Sequence, residues 1–88
     1  MAPDDCDVIE RYATDVAKSL DISRPPAMYV IGADRVDIDL SSRYNDGADI
    51  DAFVESLSRA LARDGYVWDV WRLGTKFVSV SEKEKGYE

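Results

Sequence analysis

Apolar residues recur along this chain with two different periods. In the first stretch Val8, Ile9, Tyr12, Ala13, Val16, Ala17 and Leu20 return at three- and four-residue intervals, behind Asp4, Asp5 and Asp7. This is one face of a helix whose N-terminus is capped, and whose dipole is complemented, by acids. It predicts helix one over roughly residues 5–20. Ser23-Arg24-Pro25-Pro26 ends it, since proline lacks a donor and restricts the residue before it. Residues 28–31 and 35–40 switch to strand chemistry around Gly32-Ala33-Asp34, with Val36, Ile38 and Leu40 alternating with Asp37 and Asp39. A two- or four-residue turn there places Tyr29, Ile31, Val36 and Ile38 inward. Met28, Val30, Arg35, Asp37 and Asp39 then point outward.

Residues 41–48 have the Ser, Asn, Asp and Gly content of a loop. The helical period resumes at Ile50, Phe53, Val54, Leu57, Ala60 and Leu61, with Asp46 or Asp49 as cap, Arg59 and Arg63 near the end and Gly65 as the residue just past it. Residues 66–73 and 77–80 are rich in aromatic and β-branched residues, and Gly74-Thr75 between them fits a two-residue type II′ turn. That turn pairs Leu73 with Lys76, Trp71 with Val78 and Asp69 with Val80. Val67, Trp71, Leu73, Val78 and Val80 then share the inner face, while Tyr66, Trp68, Val70, Arg72, Phe77, Ser79 and Ser81 share the outer one. This hairpin is apolar on both sides, and only one side fits a core.

The halves resemble each other. An offset of 41 matches Ile9, Tyr12, Ala13, Val16 and Leu20 with Ile50, Phe53, Val54, Leu57 and Leu61, and an offset of 42 matches Tyr29, Ile31, Gly32, Val36 and Ile38 with Trp71, Leu73, Gly74, Val78 and Val80. Residues 1–88 therefore form a single α+β domain built from two αββ units, 5–41 and 48–82, with a charged tail at 83–88. The expected fold is αββαββ, a four-stranded antiparallel sheet with both helices packed on one face. The opposite face is left to solvent or to a partner.

Charge narrows the function. Eighteen acids against eleven bases give a net charge of −7, which argues against direct binding to nucleic acid. Thirteen Asp to five Glu, and seven Arg to four Lys, match either a salt-adapted (halophilic) protein or a GC-rich bacterial or phage genome. There is no membrane-spanning run and no signal-peptide pattern, and a single Cys6 allows no internal disulfide, so a cytoplasmic location is expected. The chain contains no His and no phosphate loop, and Asp46-Gly47-Ala48-Asp49-Ile50-Asp51 departs from the EF-hand order. An enzyme is not expected, nor any cofactor or metal.

What remains is surface. Tyr66, Trp68, Val70, Arg72 and Phe77 on the outer face have the composition of a protein interface, which makes a protein-interaction module, binding a protein partner or itself as a homodimer, the expected function. The alternative is an acidic nucleic-acid mimic of the phage-inhibitor, immunity or antitoxin type, with Asp37, Asp39, Asp46, Asp49 and Asp51 standing in for phosphates. A metal-dependent enzyme using Asp37 and Asp39, with Asp49 and Asp51 nearby, is a third possibility.

Overall fold

The structure is a computed structural model that describes residues 3–21, 27–31, 34–40, 47–74 and 76–82. Its elements are α1 (Pro3–Ser19), β1 (Ala27–Ile31), β2 (Arg35–Asp39), α2 (Gly47–Arg63), β3 (Trp68–Leu73) and β4 (Phe77–Glu82). The fold is α+β, two αββ units in sequence, as the repeat implied. The tail at 83–88 lies outside the described residues.

Each helix is held by one apolar face. Ile9, Ala13, Val16 and Ala17 of α1 meet Ile50, Phe53, Leu57 and Leu61 of α2, all buried, above Val36 and Ile38 of β2 and Val78 and Val80 of β4. Matched by their bounds, Pro3 with Gly47 and Ser19 with Arg63, the helices take an offset of 44 that aligns buried Ile9, Ala13 and Ala17 with Phe53, Leu57 and Leu61. The hairpins keep the offset of 42, so the helices have slid by about half a turn against the strands.

α2 stops as its sequence requires. Gly65 takes φ +93°, its N–H donates to the Ala62 carbonyl (3.1 Å), and the Tyr66 N–H donates to the Leu61 carbonyl (3.0 Å). This paired closure needs a left-handed residue just past the helix, where glycine carries no Cβ penalty. α1 also ends on a positive φ but without a glycine, since Asp21 takes φ 68° and its N–H donates to the Lys18 carbonyl (3.1 Å).

The sheet order is β1-β2-β4-β3, all neighbours antiparallel. Each hairpin therefore places its second strand at the centre, and β2 meets β4. The two units are related by a pseudo-twofold axis through that central pair: Asp37 faces Ser79, 42 positions on, and Arg35↔Ser81 is the counterpart of Asp39↔Phe77. Even the flanking bonds obey it, with Leu40 N–H donating to Lys76 O (2.8 Å) at one end and Glu82 N–H to Asp34 O (3.2 Å) at the other.

The hairpin registers correct the sequence expectation. Ile31 pairs with Arg35 and Leu73 with Phe77, so both loops hold three residues. Gly74 does take positive φ (69°) but opens a longer loop than a type II′ turn. With a side-chain period of two, one extra residue moves the first strand's whole apolar set to the other face. Val70 now lies opposite Val80 and Arg72 opposite Val78 on the helix side, while Trp71 lies opposite Ser79 and Tyr29 opposite Asp37 on the open side.

Candidate functional site

The open face is built as three cross-strand rows. The middle one reads Tyr29, Asp37, Ser79, Trp71; one neighbour is Ile31, Arg35, Ser81, Asp69, and the other Ala27, Asp39, Phe77, Leu73. Among the described residues no helix covers this side, yet its centre is buried, with Asp37 only 7% exposed and Ser79 fully buried. Tyr29 and Trp71 stand at the two ends of the middle row, as the pseudo-twofold requires. Tyr29, Ile31 and Leu73 are exposed, and Trp71 and Phe77 half-buried.

A buried carboxylate is tolerable only when its lone pairs are matched. Arg35 donates from Nε to Asp37 Oδ1 (3.0 Å) and from Nη2 to Oδ2 (3.1 Å), and Ser79 Oγ donates to Oδ1 (2.6 Å). The Arg35 fork, aided by Ser79, holds the Asp37 carboxyl below the usual carboxylate range against the opposing effect of burial. Arg35 is raised in turn by the same bond. Asp37 is therefore ionised at neutral pH, and among the described residues no buried side-chain polar atom lacks a partner. Beside this triad lies a hollow of about 330 Å³ lined by Tyr29, Ile31, Asp37 and Phe77.

The residues singled out in the sequence divide between the two sides. Phe77, Asp37 and Asp39 are on the open face as expected. Tyr66, Trp68 and Val70 are not: they pack against the core from the helix side. Tyr66 stacks on Trp68 at 4.7 Å between ring centroids and meets Tyr12 edge-on at 5.9 Å, while the Tyr12 hydroxyl donates to Asp64. The cluster joins α1 to the end of α2 and the start of β3. Arg72 lies on the helix side as well, with Nη1 donating to Asp51 of α2 (3.1 Å) and Nε to the Gly74 carbonyl (2.7 Å). Asp46 lies outside the described residues, as does the side chain of Asp49. The five-acid surface is thus seen only in part, with Asp37 engaged at the sheet centre and Asp51 paired on α2.

Tyr29, Ile31, Trp71 and Leu73 are the open-face residues that the sequence expectation had placed inside. One signal could have found them. The two-residue register puts Asp69 in the core opposite Val80 with no partner, a cost that the three-residue loop removes by turning Asp69 outward opposite Ser81.

Among the described residues no three of His, Cys, Asp or Glu come together as metal ligands, and no helix is long and apolar enough to cross a membrane. Compared with models of protein families, curated proteins and solved structures, the chain matches none, so the face must be interpreted from its own residues.

Proposed function

We propose that this chain is a non-enzymatic interaction module, working in the cytoplasm, that docks a protein partner on the open face of its sheet. The observation that carries this is the pairing of an uncovered apolar rim with a fixed polar centre. Tyr29, Ile31, Trp71, Leu73 and Phe77 surround Asp37, whose geometry Arg35 and Ser79 set before any partner arrives. Aromatic anchors around a desolvated, pre-organised centre are the usual composition of an interface hot spot. Acidic mimicry is less well supported, because a phosphate mimic works through accessible charge, whereas Asp37 is buried and held by Arg35. A second copy is the weaker choice of partner, since two chains of net charge −7 repel.

The test is to cross-link and identify the partner, then to measure its affinity for variants. Tyr29→Ala and Trp71→Ala are expected to weaken binding about ten-fold or more, the loss typical of a hot-spot truncation, with near-native melting temperatures. Unchanged affinity in both would overturn the proposal.

A further inference from the structure

We infer that the hollow between Tyr29, Ile31, Phe77 and Asp37 receives the cationic side chain, arginine or lysine, of a basic segment that lies along β1. This rests on the docking function proposed above and names the chemistry of its partner.

The hollow has walls and a floor of opposite character. Tyr29 and Phe77 contribute aromatic rings and Ile31 an apolar side chain, while Asp37 supplies a carboxylate. Aromatic rings attract a cation through their quadrupole, and more strongly where water is excluded. A carboxylate has about four acceptor sites. Asp37 uses two on Oδ1, for Arg35 Nε and Ser79 Oγ, and one on Oδ2, for Arg35 Nη2. One site on Oδ2 is left for an incoming N–H. At about 330 Å³ the hollow is at the small end of ligand pockets, suited to one side chain and not to a large molecule.

Charge selects the sign. Among the described residues the hollow is lined by one acid, Asp37, and by no base, on a chain of net −7. A cationic segment is drawn toward such a surface, and an anionic one is repelled.

The neighbouring strand argues for a polypeptide over a free amine. β1 is an edge strand, Ala27-Met28-Tyr29-Val30-Ile31, without a single charge, and Tyr29, Val30 and Ile31 are 48%, 63% and 42% exposed. Natural edges are commonly blunted by charge or proline; among the described residues no strand pairs with the outer edge of β1, which suits it to an added strand. An extended segment beside β1 projects alternate side chains onto the open face, next to Tyr29 and the hollow it lines.

Three probes are titrated into ¹⁵N-labelled protein and followed by NMR. They are a blocked, extended Thr/Val peptide with one central arginine, the same peptide with citrulline (its neutral isostere), and N-acetyl-arginine amide. The expected result is that the arginine peptide shifts the signals of Tyr29, Ile31, Asp37 and Phe77, while the citrulline peptide and the single amino acid each bind about ten-fold or more weakly. Phe77→Ala should lose most of the response, and Tyr29→Ala gives a second variant should Phe77→Ala unfold. Equal binding of the arginine and citrulline peptides would overturn the cationic specificity. Equal binding of N-acetyl-arginine amide would overturn the strand-borne partner, and shifts confined to other surfaces, or none, would overturn the site itself. The docking function fails on a separate measurement, unchanged partner affinity in Tyr29→Ala and Trp71→Ala.

Discussion

Asp37 is the residue on which the open face turns. It sits where an apolar side chain would be the simpler choice, and it is kept charged by Arg35 and Ser79. Asp37→Asn preserves the shape but removes the charge that Arg35 binds, and is expected to cost about 1.5–3 kcal/mol at pH 7, the range for a hydrogen bond to a charged group. The pH dependence follows from the lowered pKa. The contribution is complete above the unfolded carboxylate value of about 3.9 and is lost as pH falls through the lower folded value. Urea denaturation of wild type and Asp37→Asn should therefore show a gap that is wide at pH 7 and narrows as pH falls below the unfolded carboxylate value and through the lowered folded one. A gap that stayed constant would mean the ion pair does not operate.

At the scale of elements, the two helix ends make a matched experiment. Gly65 and Asp21 both close a helix in the left-handed region, and a Cβ at Gly65 would meet nothing within 4 Å. Gly65→Ala should therefore cost about 1 kcal/mol through backbone conformation alone, whereas Asp21→Gly should be neutral or stabilise by a few tenths, with both read from chemical denaturation. The helices were legible in the sequence because three- and four-residue periodicity and Gly65 agreed, although α1 begins at Pro3, so that Asp4 and Asp5 lie in its first turn and do not cap it. The strands and their pairing into hairpins were legible too. Their register was not, since Met28 and Val30 serve an inner face as well as Tyr29 and Ile31 do, and only loop length decides between them. In the second hairpin Asp69 carried the answer, because a lone carboxylate does not belong opposite Val80. That one-residue difference exchanged Trp68 for Trp71 and Tyr66 for Tyr29 on the open face.

The whole molecule is a pseudo-symmetric sheet with one face closed by helices and the other bearing an acid at its axis. The pseudo-twofold places Tyr29 and Trp71 on either side of that axis, where Asp37 faces Ser79 and not another Asp, which would place two carboxylates together. The net charge of −7 acts on the same scale. The molecule measures 37 × 24 × 23 Å, and the Debye length falls from about 30 Å at 0.01 M salt to about 8 Å at 0.15 M. Charges on opposite sides repel at low salt and are screened at the higher concentration. The urea midpoint should rise between these two conditions, and a fall would indicate that the ion pairs outweigh the repulsion.

The sharpest comparison is between the two tryptophans. Trp68 packs against the core and stacks on Tyr66, while Trp71 lies on the open face opposite Ser79. Measured side by side for melting temperature and partner affinity, Trp68→Ala is expected to lose about 2–3 kcal/mol of stability. Trp71→Ala should remain close to native in stability and lose about ten-fold or more in affinity. The reverse outcome, with binding lost in Trp68→Ala and untouched in Trp71→Ala, would contradict both the register and the docking face drawn from it.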